Sequence, residues 1–507
     1  MTSVNSPTGK LLRPYSYDNF QGLDTSRDIA SLDTGENQHL AVLNNGYSSF
    51  RGIILRDRGY APRTTSPGDR LIKHINFYGR DLVAWAQVDG GGITLKSEPN
   101  NIELKEVYPS TAVVTSTIFN NRIIFFSQNE PMYIYDGLKF EESENKTERP
   151  AFGVAIQRRL AISGGNDRRT VVDLSQVDNE EIFTRDEEET NTAVTRAADI
   201  DVKNIIGTSD EITGLGVFEK SKLAVFTNDQ TIIYSISPDF NQFQIDDKAS
   251  IGVGCLSHNS IANVGTDLLF CSRSGVHSLR RSETNGITIY AVPLSSKIEE
   301  MYKELVRSVK DPRDISAFYD RDNGQYHVFF PQTDIQSKRL TLTISPSPDA
   351  TNKWSTGDYL NPRCGASLGG TTCVGTAGGI FNSLEYEEDG VTNLPELEVD
   401  TPILWHDSLT ETKHSAQIIL QASGQGQIEI TAFNNEGKQL QVIKIDLDND
   451  ENEDDNYTFL PLSRQYSRQF RHQYKGVRFK IKTTGGQGRI KIIGLAVLIE
   501  QERRERR

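Results

Sequence analysis

The feature of this sequence that most constrains its fold is the repetition of short, strand-like segments separated by turn residues. From about residue 37 almost to the C-terminus, segments of about four to eight residues rich in Val, Ile, Thr and aromatic side chains alternate with Asn, Asp and Gly. Two of them, 222–227 and 230–236, flank Asn228-Asp229, which tolerates the positive φ angles of a tight β-turn. Asn323-Gly324 separates another alternating pair. Antiparallel hairpins are therefore predicted to dominate.

The hairpins recur at intervals of about 30 to 50 residues, a spacing typical of propeller blades. A partial unit that begins at Cys373 is expected to close the ring with the strands that precede residue 70. This pattern predicts an all-β fold with a β-propeller of about six to seven blades. The full units cover residues 72–95, 113–140, 151–183, 212–245, 261–292 and 315–344.

One segment, 294–311, breaks the strand pattern and predicts an amphipathic helix. Ser296 and Glu299 have the spacing of a capping box. Six apolar residues fall on one face at helical spacing, a stripe expected to pack on the propeller: Ile298, Met301, Tyr302, Leu305, Val306 and Val309.

The ends of the chain differ from the repeats. Residues 1–36 are polar and contain Gly, Pro and Ser, which predicts an extended N-terminal arm. Residues 37–400 are assigned to the propeller. Residues 401–507 no longer match the repeat and predict a β-sandwich-like module with a basic C-terminal tail.

Composition narrows the possible partners. The 507 residues carry 69 acidic and 55 basic side chains, a net charge of −14, which disfavours tight binding to nucleic acid. No apolar run approaches the length of a membrane span, so we expect the protein to be made and kept in a cytosol, with no membrane insertion by this chain alone. The cysteines lack C-x-x-C spacing and are expected to be reduced and buried: Cys255, Cys271, Cys364 and Cys373.

The sequence lacks the common motifs of catalytic, nucleotide-binding and zinc sites. It contains no nucleophile elbow, phosphate loop, dinucleotide fingerprint or zinc-binding H-E-x-x-H helix. The eight histidines are scattered, with no pair four residues apart and none at ligand spacing from a cysteine. We therefore predict no enzyme activity, and no catalytic, cofactor-binding or metal-binding residue.

Two acidic runs are interpreted as a turn and a loop and not as metal or catalytic sites. Residues 446–456 present alternating carboxylates that could gather Ca²⁺, but the run lacks the glycine and glutamate of an EF-hand loop. A solvated acidic turn is the favoured interpretation. The run Asp186-Glu187-Glu188-Glu189 is interpreted as a loop insertion between blade strands.

Several segments resemble the propeller-bearing tail nozzle proteins of short-tailed bacteriophages. Residues 131–140 resemble a family strand that ends in an aromatic-Asp-Gly turn, and 159–183 resemble a blade with a short Gly turn. The strongest stretch is 240–279, in which seven residues carry the match: Gly252, Asn259, Ser260, Phe270, Ser272, Gly275 and Val276.

The resemblance implies a structural virion protein at the distal end of the tail. It implies a homohexameric ring bound to a tail adaptor protein and contacting tail fibres or spikes, with double-stranded DNA ejected along the ring axis. An acidic conduit would adhere weakly to phosphates. The expected location is the virion tail, after assembly in the bacterial host cytoplasm.

Two alternatives remain open. One is a β-propeller adhesin or glycan-acting virion protein, which would need a groove of aromatic residues and paired carboxylates; the chain offers only Trp85, Trp354 and Trp405 as tryptophans. The other is a bacterial cytosolic interaction scaffold, for which monomeric behaviour and binding to a host protein would be diagnostic.

Overall fold

The chain folds as two compact units. The propeller unit comprises Pro62–Arg339 and Leu360–Asn382, and the sandwich unit comprises Met1–Ala61, Leu340–Tyr359 and Ser383–Arg507. The structure, a computed structural model, describes residues 4–5, 11–32, 38–63, 71–79, 81–87, 93–97, 103–145, 148–183, 195–207, 209–237, 239–265, 267–279, 293–344, 352–384, 394–424, 426–447, 464–484 and 490–501.

Six antiparallel sheets and the first three strands of a nine-stranded sheet build the propeller unit, and they are numbered here as sheets 1 to 7 in chain order. Sheets 1 to 4 have four strands each: Leu71–Tyr78, Asp81–Gln87, Ile93–Ser97 and Glu103–Tyr108; Val114–Phe119, Arg122–Ser127, Tyr133–Tyr135 and Phe140–Glu142; Phe152–Ile156, Arg159–Ser163, Val171–Leu174 and Ala198–Asp201; Ile212–Phe218, Lys222–Thr227, Thr231–Ser235 and Gln244–Ile251.

The later sheets are less regular. Sheet 5 has three strands, Ala262–Val264, Asp267–Cys271 and Val276–Ser278. Sheet 6 has Ser316–Asp320 and Gln325–Pro331, followed by Ser337–Thr343, along which the chain leaves the unit. Sheet 7 contains Cys364–Leu368, Thr371–Thr376 and Gly379–Leu384.

Sheet 7 is extended by residues from the start of the unit. The backbone N–H of Arg63 donates to the carbonyl oxygen of Ile380 at 3.0 Å. A segment that precedes residue 70 thus hydrogen-bonds to the last sheet, as the sequence pattern predicts. With these residues sheet 7 also has four strands, so sheets 1 to 4 and sheet 7 are five sheets of the blade type, and their arrangement confirms a mostly β chain with a β-propeller.

The strands of these sheets bury both faces. In sheet 2, Ile123 and Phe125 pack with sheet 1, whereas Ile124 and Phe126 pack with sheet 3. The same division occurs in sheet 4, between sheet 3 and sheet 5, and in sheet 1, between sheet 7 and sheet 2. Successive residues point to opposite faces. The continuous apolar runs in the sequence therefore mark strands between two neighbouring sheets.

The predicted helix spans Glu299–Ser308 and follows a 3₁₀ turn at Ser296–Ile298. Tyr302 is fully buried and its hydroxyl donates to the Ser272 carbonyl oxygen at 2.7 Å. The predicted capping box does not form, because Ile298 occupies the N-cap position without a side-chain hydrogen bond. The other helical segments are short: Asn166–Arg168, Lys203–Ile206, Phe240–Gln242, His258–Ser260 and Pro312–Asp314.

The sandwich unit contains two sheets that share one core. Buried side chains of both sheets pack together, among them Ile418 and Leu420 from one and Ile428 and Ile430 from the other. The first sheet contains Val4–Asn5, Leu11–Tyr17, Lys491–Gln501, Lys413–Ser423, Arg464–Gln469, Gln473–Tyr474, Gly46–Ser48 and Ile54–Arg56. The second contains Lys353–Gly357, Val42–Asn44, Glu398–Asp400, Val477–Thr484, Gly426–Asn434 and Gln439–Leu447, and Phe20–Leu23 pairs with Gln38–Leu40 outside both sheets.

These units differ from the predicted division into 1–36, 37–400 and 401–507. Within the predicted arm, Leu11–Tyr17 is a strand whose seven residues pair antiparallel with Leu495–Gln501. Residues 38–61, which the sequence assigned to the propeller, lie in the sandwich unit. The reason is long-range pairing, because several strands in this unit pair with strands that lie hundreds of residues away in the sequence.

The second sheet of this unit contains an ion pair between a buried carboxylate and a partly exposed arginine. Asp400 is 3% exposed. Its two carboxylate oxygens accept hydrogen bonds from Arg478, Oδ1 from Nε at 2.8 Å and Oδ2 from Nη2 at 2.6 Å. Burial raises the pKa of Asp400, although Arg478 acts in the opposite direction.

We predict that Arg478→Ala lowers the free energy of unfolding by about 3 kcal/mol, because it leaves the Asp400 carboxylate buried without its partner. Arg471→Ala, at an exposed arginine in the same unit, should change it by less than about 0.5 kcal/mol. Chemical denaturation monitored by far-UV circular dichroism measures both. Equal effects of the two substitutions would contradict a stabilising role for the ion pair between Asp400 and Arg478.

Candidate functional site

The propeller unit contains a cavity of about 240 Å³ beside the first strands of sheets 2, 3 and 4. These strands contribute Thr115, Phe152 and Thr213, and the connections that precede sheets 5 and 6 contribute His258 and Arg313. Residues far apart in the sequence thus meet because each sheet begins on the same side of the propeller.

The wall that contains His258 is a short segment, 256–260, which side chains fix in place. Asn259 Nδ2 donates to the Val114 carbonyl oxygen at 2.9 Å, and Ser257 Oγ donates to the Arg313 carbonyl oxygen at 2.9 Å. Such bonds supply partners to carbonyl groups at a place without a continuous strand ladder. The segment therefore links the connections before sheets 5 and 6 to the first strand of sheet 2.

His258 lines the cavity and has one ring nitrogen engaged in a hydrogen bond. Its Nδ1 accepts from the Leu215 backbone N–H at 3.3 Å, and its ring stacks on Phe152 with centroids 5.0 Å apart. Burial lowers the pKa of His258 to about 3, and His74 contributes to the shift. The ring is therefore neutral near pH 7, with its proton on Nε2 because Nδ1 is an acceptor. Among the described residues Nε2 has no hydrogen-bond partner.

One arginine at the cavity is held in a fixed orientation. Arg313 contacts the Asp311 carboxylate, with Nη2 at 2.7 Å from Oδ2, and its Nη1 donates to Gln128 Oε1 at 2.7 Å. Asp311 raises the pKa of Arg313 by hydrogen bonding and by charge. Its charge is thus matched by a neighbouring carboxylate.

The other two arginines of the cavity lining, Arg169 and Arg273, differ in whether a carboxylate lies beside them. Arg169 Nη1 lies 3.7 Å from Glu211 Oε2. Arg273, which is exposed, has neither an ion pair nor a hydrogen bond within the part of the chain that the structure describes. The cavity therefore combines two charge-matched arginines with one unmatched guanidinium.

The hydroxyl groups of the lining are already engaged. Each donates to a main-chain carbonyl oxygen: Thr115 to Ala151 at 2.9 Å, Thr213 to Cys255 at 2.7 Å, and Ser257 to Arg313 at 2.9 Å. Since the His258 acceptor nitrogen also has a partner, no serine or threonine of the described lining is activated by this histidine. The arrangement is suited to binding through nitrogen donors.

The residues that the sequence singled out lie elsewhere. Trp85 and Trp354 are buried, and the indole of Trp405 donates to the Ala30 carbonyl oxygen at 2.8 Å. None of the three lines the cavity, so they do not form the aromatic groove that a glycan-acting protein would need. All four cysteines are buried, as expected: Cys255, Cys271, Cys364 and Cys373.

The two acidic runs fall largely outside the described residues. Of 446–456, Asp446 is described and accepts from Gln427 Nε2 at 2.7 Å, whereas 448–456 lie outside. The run 186–189 and the basic tail 502–507 also lie outside. Among the residues that are described, no three His, Cys, Asp or Glu side chains are close enough to share a metal ion. The helices described there are all too short or too polar to span a bilayer.

The sequence reasoning missed this cavity. Two residues of its histidine-bearing segment, Asn259 and Ser260, belong to the stretch that resembles the nozzle family, which was the available signal. Nothing in the local sequence around Arg169, Arg273 or Arg313 indicates that they share one cavity.

No family model and no curated protein matches the chain. Solved structures with partial similarity include the extracellular domain of the putative hybrid two component system BT3049 from B. thetaiotaomicron, at 10% identity and a TM-score of 0.40. That match covers 83% of this chain and 57% of the other, so this chain spans little more than half of that domain. The RRP9 WD40 repeats match at 7% identity and a TM-score of 0.38, with 65% of this chain and 99% of the other covered.

Virginiamycin B lyase from Staphylococcus aureus matches at 10% identity and a TM-score of 0.36, covering 64% of this chain and 97% of that one. All three scores are low, and these similarities say nothing about what this chain binds or catalyses.

The neutral, buried histidines predict a loss of stability in acid. Burial lowers the pKa values of His74, His277 and His406 to about 4, and that of His258 to about 3. The unfolded chain, with histidine pKa values of about 6.5, takes up protons first as the pH falls, so stability decreases below about pH 6.5. Each such histidine contributes a loss of up to about 2 kcal/mol between pH 7.5 and pH 5.0.

We expect His258→Gln to reduce this pH dependence, measured as the difference between the unfolding free energies at pH 7.5 and pH 5.0. His414→Gln, at an exposed histidine, is the control and should leave the difference unchanged. A wild-type unfolding free energy that is the same at both pH values would refute the prediction.

Proposed function

We propose that this chain is a structural virion protein, the tail nozzle of a short-tailed bacteriophage. In this proposal six copies form a ring that continues the tail tube, binds a tail adaptor protein and contacts fibres or spikes. Double-stranded DNA passes along the axis of that ring during ejection. The protein performs this role without a catalytic residue, a cofactor or a metal.

The observation that carries the proposal is the role of the residues that resemble the nozzle family. Asn259 bonds across the unit to the Val114 carbonyl oxygen, and Ser272 Oγ donates to the Gly275 carbonyl oxygen at 3.0 Å. A Cβ at Gly275 would lie 2.5 Å from Ser295 Oγ. These are architectural roles within a propeller, which is what the resemblance implies for a protein whose function is to hold a shape.

We also infer that the propeller has seven blades, within the six to seven expected from the sequence. Sheets 5 and 6 then take the places between sheet 4 and sheet 7. In support, the first strand of sheet 6 contacts the first strands of both sheet 5 and sheet 7. Sheets 7 and 1 contact each other as well.

Exposed sheet edges in the sandwich unit support self-association. In the described structure, Gln439–Leu447 and Arg464–Gln469 each pair with a neighbouring strand on one side only. Nearly every side chain of Arg464–Gln469 is exposed. Unpaired strand edges are natural sites for pairing with another chain. We propose that Arg464–Gln469 contributes to the contact between subunits.

The test is the assembly state of the protein, alone and with candidate tail adaptor proteins, by native mass spectrometry and cryo-electron microscopy. We predict a closed ring of six times the 56.7 kDa chain with an axial channel. Monomers that never enter a ring or a particle under any of these conditions would overturn the proposal.

The proposed contact can be mapped by charge reversal. Arg464→Glu combined with Arg468→Glu should weaken ring formation at least tenfold, whereas Arg321→Glu, at an exposed arginine of the propeller unit, should not. Circular dichroism checks that each variant is folded. Rings of unchanged stability in the double variant would exclude this edge as the contact.

The second candidate, a propeller adhesin or glycan-acting virion protein, is favoured by one observation, the arginine-lined cavity. The cavity offers binding groups without an activated nucleophile, which favours an adhesin over an enzyme.

A further inference from the structure

The cavity in the propeller unit has one unmatched positive charge. Arg313 is matched by Asp311, and Arg169 lies next to Glu211, whereas Arg273 has no partner among the described residues. A ligand that carries one negative charge would neutralise this guanidinium. A dianion would bring a second negative charge for which the described lining has no unmatched cation.

The hydrogen-bonding groups left for a ligand are nitrogen donors and the lone pairs of the lining hydroxyl oxygens. The lining hydroxyls are engaged with carbonyl oxygens, and His258 offers only its Nε2–H because Nδ1 accepts from Leu215. Arg273 adds a planar fork of N–H groups, which matches the two oxygens of a carboxylate. The guanidinium and the His258 N–H favour a ligand with acceptor oxygens, while the hydroxyl lone pairs can accept from ligand hydroxyl groups.

The lining also contains an acceptor and an apolar surface. Glu211 can accept hydrogen bonds from ligand hydroxyl groups, while Phe152, Ile212 and Pro312 provide apolar contact. A ligand that suits this lining has a carboxylate at one end and a body with both hydroxyl groups and C–H surface.

Volume limits the size of the ligand. The cavity of about 240 Å³ is smaller than the roughly 300–1,000 Å³ of sites for drug-sized molecules. It therefore fits a single six-membered ring with small substituents better than an oligosaccharide bound along its length.

We propose that this cavity binds a single sugar acid, a hexuronate residue, with its carboxylate on Arg273 and within reach of the His258 Nε2–H. In a polymer this residue would be a terminal or side-branch unit. The site is independent of ring formation, so it goes beyond the nozzle proposal and does not depend on it.

The experiment is isothermal titration calorimetry of the full chain with glucuronate, glucose and inorganic phosphate at pH 7.5. We expect saturable binding of glucuronate, and binding of glucose and phosphate that is at least tenfold weaker. Absence of glucuronate binding at concentrations up to about 10 mM would overturn the proposal. Phosphate binding as tight as that of glucuronate would overturn the assignment to a monocarboxylate.

Variants locate the site. Arg273→Ala should weaken glucuronate binding at least tenfold, and Arg273→Lys should weaken it less, because lysine keeps the charge but loses the fork. Arg321→Ala, at an exposed arginine outside the cavity lining, is the matched control and should bind as wild type. Wild-type affinity in Arg273→Ala would place any observed binding elsewhere and refute the proposal.

Discussion

The propeller unit depends on strands that bury both faces. A strand such as Arg122–Ser127 directs Ile123 and Phe125 to one neighbouring sheet and Ile124 and Phe126 to the other. A four-stranded sheet alone would leave both of these surfaces in water, at a cost of about 25 cal/mol for each Å² of apolar area. Each sheet is therefore stable only between two others, and the repeating unit builds a propeller.

This constraint explains which parts of the fold the sequence could predict. Hairpins such as that around Asn228-Asp229 are local, so turn residues and flanking apolar runs are sufficient to identify them. The helix at Glu299–Ser308 was equally local, although its capping box did not form because a 3₁₀ turn ends at Ile298, which takes the N-cap position in place of Ser296. Local patterns thus identified elements better than they identified their ends.

The sandwich unit could not be predicted in the same way. Tyr15 pairs with Val497, and Val399 pairs with Leu43, so its sheets join segments from both ends of the chain and its middle. Strand periodicity states which face of a strand is buried, but not which strand lies beside it. The boundaries 1–36 and 401–507 followed changes in local composition, and the structure divides the chain according to pairing instead.

The candidate site was harder still to predict, because its charges come from turns of different sheets. Arg169 follows the 3₁₀ turn Asn166–Arg168 in sheet 3, Arg273 follows the second strand of sheet 5, and Arg313 lies in the turn before sheet 6. No spacing in the sequence relates them. Sequence motifs identify sites built on one loop or helix, and this cavity has no such element.

The position of segment 256–260 separates the proposed passage of DNA from the proposed binding of a small ligand. The segment 256–260 links the connection before sheet 5 to Val114 of sheet 2, and these sheets are not neighbours in the order of packing. The segment therefore crosses the middle of the propeller unit, where a channel through that unit would have to run. If DNA passes through an assembly of this protein, its path must lie on the axis of the ring of subunits rather than that of a single propeller. In that case the cavity beside 256–260 would remain free to bind a small ligand.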